Sequence, residues 1–337
     1  MGRYLRPIAM TDAARPAGGL TLAGGWCWFD RVEVLERGRP AELVPVGGLS
    51  AEDLAPLTAP RPAFGGLAME RPQIMGILNV TPDSFSDGGL FLRPEAAVMQ
   101  ARKMAAGADI LDIGGESTRP GAVEVPGEDE IARTAPVIRA LRDAGLDLPI
   151  SIDTRKAAVA QAAFAAGATI LNDVTALQFD PAMAGVATAL GGPVILMHSI
   201  ASPETMQDDP RYDDVLLDVY DALAARLDEA QAAGIPRDRL AVDPGIGFGK
   251  SLGHNLALLN RLSLFHGLGV PVLLGASRKR FIGTIGAEAE AVRRMPGSLA
   301  VALAGVAQGV QMIRVHDVAE TRQALSLWQA VTNGVAR

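Results

Sequence analysis

The chain has 337 residues, 49% of them hydrophobic and only 4% aromatic, with a formal net charge of −7. That content can bury one large core or two small ones, and an acidic balance without a basic stripe interleaved with aromatics argues against a nucleic-acid partner. No apolar run is long enough to span a bilayer, the N-terminus lacks a signal-peptide core, Arg6 blocks a myristoylation signal, and the single Cys27 permits no internal disulfide, which fits a reducing cytoplasm.

Residues 1–71 form the first region. Gly18-Gly19, Gly24-Gly25, Gly47-Gly48 and several prolines punctuate it. The patches Leu20–Ala23, Trp26–Phe29 and Val32–Leu35 predict a short hairpin or small sheet, packed as an appendage on the main body. Residues 60–72 read as a connector. From residue 72 to 337, short apolar runs alternate with amphipathic stretches. The runs are Ile74–Asn79, Ile110–Ile113, Ile150–Asp153, Thr169–Asp173, Val194–His198, Leu240–Asp243, Val272–Gly275 and Met312–Val315. Most are rich in β-branched residues, as strands covered on both faces require. Helix-like segments lie between them, among them Ala96–Ala106, Glu128–Ala144, Ala157–Ala166, Pro181–Leu190, Asp214–Ala233, Asn255–Phe265 and Ser298–Gln308, with a last one near Ala319–Thr332. Eight such strands predict an α/β fold, a (βα)8 TIM barrel with a small β-rich N-terminal appendage. An open doubly wound sheet is the alternative. Its dinucleotide-binding form needs a Gly-rich turn after the first strand, which is missing.

Polar residues crowd the predicted strand ends: Asn79, Gly114–Gly121, Asp153-Thr154-Arg155, Asn172-Asp173, Met197-His198-Ser199, Asp243–Lys250, Ser277–Arg280 and Arg314–Asp317. In a barrel these ends converge on one mouth. Asp153, Asn172 and Asp243 suit an enclosed heterocycle rich in N–H donors. Each aspartate alone reads equally well as a helix cap or loop anchor. Lys279, Arg278, Arg314 and His316, with Asn79 across the mouth, suit a phosphate or pyrophosphate. Arg278 and Arg280 also read as solvated charges. Arg314 and His316 are two apart on one strand, so they share a face. Lysine occurs only at Lys103, Lys156, Lys250 and Lys279. Lys103 and Lys156 lie in helix-like stretches and are expected to face water. Other motifs fail: Gly245–Ser251 has Pro244 where a P-loop needs glycine, no Cys/His cluster fits zinc, and no serine sits in a nucleophile elbow.

The stretches MGILNVTPDSFSDGG from Met75, GADILDIGGESTRPGA from Gly107, ISIDTRK from Ile150, LNDVTA from Leu171, VILMHS from Val194, VDPGIGFGKS from Val242, GASRKRFIG from Gly275 and IRVHDV from Ile313 together resemble the dihydropteroate synthase family. The resemblance runs over residues 72–330. It implies a transferase that condenses 6-hydroxymethyl-7,8-dihydropterin pyrophosphate with p-aminobenzoate, giving 7,8-dihydropteroate and pyrophosphate in folate biosynthesis. It carries pterin binding to Asp153, Asn172, Met197, Asp243 and Lys279, with Asp153, Asp243 and Lys279 catalytic. Pyrophosphate falls to Asn79, Arg314 and His316, and Mg²⁺ to Asn79. The p-aminobenzoate subsite falls to Phe85, Thr118, Arg119, Pro120, Phe248 and Ser277, with Lys279 beside them. The resemblance further implies a homodimer, sulfonamides as competitors of p-aminobenzoate, and a dissociative path. Two rivals share its pterin pocket: a pterin-dependent methyltransferase acting through a corrinoid protein, which has no use for a pyrophosphate clamp, and a non-catalytic pterin-binding paralogue, which need not keep Asn79, Thr118 and Arg119.

Overall fold

The computed structural model describes residues 2–80, 94–117, 122, 124–200 and 210–335. The leader supplies strands β1 (Arg3–Pro7), β2 (Leu20–Thr21), β3 (Trp28–Phe29), β4 (Arg31–Glu36) and β5 (Glu42–Pro45) and helix α1 (Ala51–Thr58). β1, β4 and β5 form an antiparallel sheet in the order β1-β4-β5, while β2 and β3 pair as a hairpin. The leader is thus more structured than its patches predict. α1 escapes a pattern reading because it is short and contains Pro56, yet a reciprocal cap between Ser50 and Asp53 starts it firmly. Its core is Leu22, Ala23, Cys27, Phe29, Val32 and Leu57.

The main body alternates strands and helices: β6 (Gln73–Asn79), α2 (Pro94–Ala105), β7 (Ile110–Gly114), α3 (Gly127–Asp143), β8 (Ile150–Asp153), α4 (Ala157–Ala166), β9 (Ile170–Asp173), α5 (Met183–Leu190), β10 (Val194–Met197), α6 (Val215–Ala232), β11 (Leu240–Asp243), α7 (Leu252–Asn260), β12 (Leu273–Leu274), α8 (Arg280–Ile285), α9 (Met295–Val306), β13 (Met312–Val315) and α10 (Val318–Asn333). The eight-stranded sheet runs β11-β10-β9-β8-β7-β6-β13-β12, and a parallel bridge from Val242 to Val272 joins its two ends. That bridge makes the sheet a barrel and rules out the open doubly wound alternative. The predicted segment Asn255–Phe265 divides into α7 and a 3-10 helix over Leu262–Leu268. No helix among the described residues is long and apolar enough to cross a membrane.

Strand alternation sorts the barrel interior into layers. The lower layer is apolar: Met75, Ile110, Ile170, Ile195, Ala241, Leu273 and Met312. Phe64 and Met69 close it from below, so residues 60–72 are a plug as well as a connector. Leu111, Ile113, Leu171, Leu196 and Val242 point outward into the larger core beneath the helices.

The leader docks on α6, α9 and the 3-10 helix. Tyr4 donates to Asp221 at 2.8 Å, Arg37 pairs with Asp218 and Asp221, and Trp26 Nε1 donates to Val306 O at 2.8 Å. Arg61 is buried. It donates to Ala59 O and Pro56 O at the C-terminal end of α1 and to His266 O on the barrel. Its cation faces the negative end of that helix.

Candidate active site

Two residues above the lower-layer side chains on every strand but β6, where Met75 is followed by Ile77, the interior changes character. Ile110 is followed by Asp112, Ile170 by Asn172, Ile195 by Met197, Ala241 by Asp243, Leu273 by Gly275 and Met312 by Arg314. Asp153 ends β8, directly opposite Gly114 and Asn172 in register. The polar residues therefore share one layer because strand periodicity places them there. Asp153, Asn172, Met197 and Asp243 are buried.

Arg314 ties this layer together. Its Nε donates to Asp112 Oδ2 and its Nη2 to Asp153 Oδ2, both at 2.6 Å. Asn172 Nδ2 lies 3.4 Å from Asp112 Oδ2. Asp153 Oδ1 is buried and has no protein partner. Burial pushes the Asp153 carboxyl above its usual range while Arg314 pulls it back. Burial likewise raises Asp243, with Lys279 opposing it. Two buried carboxyls, one with an oxygen left unpartnered, are a socket for N–H groups.

The loop after β11 builds the other wall. Asp243 Oδ1 accepts from Gly245 N at 2.7 Å. Gly245 has φ +67°, and a Cβ there would sit 1.9 Å from His198 O, so only glycine fits. Lys279 donates to Ile246 O and lies 4.4 Å from the Phe248 ring centre. Burial lowers the Lys279 ammonium to about 8, against the pull of Asp243. His316 Nδ1 lies 3.0 Å from Ser277 Oγ, which also accepts from His316 N at 3.3 Å. Asn79 ends β6, half-buried, opposite Gly114. A Cβ on Gly114 would lie 3.8 Å from both Asn79 Oδ1 and Asp153 Oδ2, so Asn79 stands beside the carboxyl layer.

The structure thus brings together Asn79, Asp153, Asn172, Met197, Asp243, Phe248, Ser277, Lys279, Arg314 and His316. Phe85, Thr118, Arg119 and Pro120 lie outside the described residues. Arg278 departs from its expected place: φ is +58°, and its guanidinium forms a two-pronged pair with Asp317, Nε to Oδ2 at 3.0 Å. It braces the start of α10. Asp173 points the other way from Asn172 and accepts from Thr175 N and Leu177 N, a loop anchor.

Lys156 corrects the expectation that it faces water. It is buried, paired with Glu116 and with Glu130 at 2.8 Å, while Arg155 reaches Glu116 at 2.8 Å. Lys103 is exposed, as expected. Asp112, fully buried in this layer, was not among the residues expected at the site. The signal was present: a lone carboxylate inside the apolar run Ile110-Leu111-Asp112-Ile113, two residues from an interior isoleucine.

Among the described residues, no cluster of three or more His, Cys, Asp or Glu is placed to hold a metal. The donor set still fits Mg²⁺ held mainly by a substrate's phosphates and water, because such an ion needs only one or two protein oxygens. The Asn79 amide oxygen at the mouth is one.

The pterin binding enzyme family matches residues 75–316. A dihydropteroate synthase of Neisseria meningitidis is 46% identical over 271 residues, covering 79% of this chain and 94% of that protein. A probable bifunctional folylpolyglutamate synthase/dihydropteroate synthase of Haloferax volcanii is 52% identical over 260 residues, covering 75% of this chain but only 30% of that longer protein. Among solved structures, the Xanthomonas albilineans dihydropteroate synthase with 4-aminobenzoic acid superposes with a TM-score of 0.75 at 49% identity, covering 81% of this chain and 98% of that one. With the family matched across the barrel, and with the Neisseria protein and the Xanthomonas structure aligned over 94% and 98% of their own lengths, the chain belongs to the pterin-binding enzyme family, among its dihydropteroate synthases.

Proposed function

We propose that the barrel mouth condenses 6-hydroxymethyl-7,8-dihydropterin pyrophosphate with p-aminobenzoate by a dissociative path. The observation that carries this reading is one barrel mouth holding the buried carboxyls Asp153, whose Oδ1 has no protein partner, and Asp243, with the cations Arg314 in the same layer and Lys279 on the adjoining loop. In this reading Asp153, Asn172 and Asp243 accept the N–H edge of the pterin, and Met197 forms its apolar wall. Arg314, His316 and Asn79 receive the pyrophosphate, and Mg²⁺ at Asn79 would add neutralising charge there. As the C–O bond to pyrophosphate lengthens, positive charge spreads over the dihydropterin methylene and ring, where Asp153 and Asp243 stabilise it. The neutral amine of p-aminobenzoate, held near Phe248, Ser277 and Lys279, then attacks the methylene and releases its proton. The enzyme needs no nucleophile of its own for this path. Phe85, Thr118, Arg119 and Pro120 complete the p-aminobenzoate subsite in the same reading. The methyltransferase alternative has no use for such a clamp, and the non-catalytic one need not keep Asn79, Thr118 and Arg119, all of which the chain carries.

The path is tested by deuterating the substrate methylene. A large normal secondary isotope effect on kcat is expected; an effect near unity at a rate limited by chemistry would point to direct displacement.

Two further features belong to this reading. A second copy of the chain is proposed to cover the groove between α7 and α8–α9, where Leu256 is 43% and Ile285 60% exposed. Light scattering should give a dimer and Ile285→Asp a monomer; a monomeric native protein would refute the pairing. A cytoplasmic setting accords with one buried thiol, Cys27.

A further inference from the structure

Lys250 closes the motif Gly245–Lys250, yet none of the roles above uses it. It is 3% exposed. Its ammonium faces Phe248 O at 2.9 Å, His198 Nδ1 at 3.0 Å and His198 O at 3.4 Å. An ammonium has three N–H donors, and these are three acceptors. While Lys250 is protonated, His198 Nδ1 accepts, which leaves a neutral ring with its proton on Nε2; burial keeps that ring neutral and draws the lysine itself down to about 7. A lysine at this place in a phosphate-binding loop would reach outward to the ligand. Here it turns back onto its own loop.

The loop it secures is the support of Lys279. Ile246 O accepts from the Lys279 ammonium and the Phe248 ring lies beneath it. His198 follows Met197, so the same ammonium also fixes the end of β10. Other bonds finish the loop without duplicating this one: Tyr212 Oη donates to Gly249 O at 2.8 Å and Gly247 N to Asn255 Oδ1 at 2.6 Å.

We propose that Lys250 is a positioning residue for the synthase reaction, tying residues 245–250 to the end of β10 so that Ile246 O and Phe248 hold Lys279 at the pterin site. The inference rests on reading Lys279 as a pterin-site cation. The test is a cycle of Lys250→Met, Lys279→Ala and the double variant, measuring thermal midpoint, dihydropterin pyrophosphate affinity and kcat. Losing bonds from a charged donor should weaken affinity about tenfold in Lys250→Met. On the Lys279→Ala background the same change should cost roughly twofold or less, because the two residues act in series. A lower midpoint with wild-type affinity, or equal fold-losses on both backgrounds, would mean that Lys250 only stabilises the fold and would overturn the proposal. Lys250→Gln, which keeps two donors, serves in the same cycle with the same criteria if Lys250→Met does not fold. Wild-type affinity in Lys279→Ala itself would instead remove the reading of Lys279, and the inference with it.

Discussion

Arg314 lies between two buried carboxylates, and that arrangement sets what its loss should do. Arg314→Met leaves Asp112 and Asp153 without their cation, and breaking a buried pair from one side costs about 3–5 kcal/mol. Urea denaturation should show a loss of that order, and an unchanged midpoint would mean that the carboxylates have other partners. Asp243→Asn removes charge from the pterin wall and should cut turnover severely in a folded protein; near-normal turnover would contradict the pocket assignment. Lys279 adds a pH dependence. Its ammonium is lowered to about 8, so charge at the site is lost as pH rises through that value. Substrate affinity should fall on the alkaline side, and Lys279→Arg should move the fall upward. An alkaline limb unmoved by Lys279→Arg would assign it to another group. At this scale the sequence was legible where polar residues close an apolar strand, as at Asp153, Asp243 and the pair Asn172-Asp173. It was illegible where meaning depends on distant partners. Nothing local to Lys156 shows that Glu116 and Glu130 converge on it, and nothing local to Arg278 shows Asp317.

The elements carry their own constraints. The loop after β11 turns at Gly245 under His198 O, so Gly245→Ala forces the loop to move. A shift of about 1 Å in a positioning group costs on the order of a hundredfold in rate. Gly245→Ala should lose activity on that scale while the barrel still folds by circular dichroism; wild-type kcat would show that the loop is not needed in this form. All eight strands were readable, since short apolar runs bounded by Gly, Asp and Asn leave little else for the chain to do. Helix ends were less so: the 3-10 turn over Leu262–Leu268 is decided by packing against β1 and α1, not by its own pattern.

At the scale of the whole molecule, the leader and the barrel meet around His266. That ring is fully buried, Nε2 donates to Gln308 O at 3.0 Å, and Nδ1 has no partner. Burial, with Arg61 nearby, lowers its pKa to about 3 from 6.5. The unfolded chain therefore binds the proton first, so this histidine's contribution to stability is present above pH 6.5 and is lost as pH falls toward 3. Stability should decline over that window by a few kcal/mol, roughly, with a shallower slope in His266→Gln. An identical slope would place the acid sensitivity elsewhere. The plug made by Phe64 and Met69 was beyond sequence reading, because its Pro- and Gly-rich flanks look like a linker and its apolar partners come from seven different strands.

The proposed synthase activity is tested most directly by pyrophosphate release from the purified protein given Mg²⁺ and dihydropterin pyrophosphate, with and without p-aminobenzoate. Dihydropteroate and matching pyrophosphate are expected only when p-aminobenzoate is present, with sulfonamides competing against it. Tight pterin binding without p-aminobenzoate-dependent release would contradict that activity.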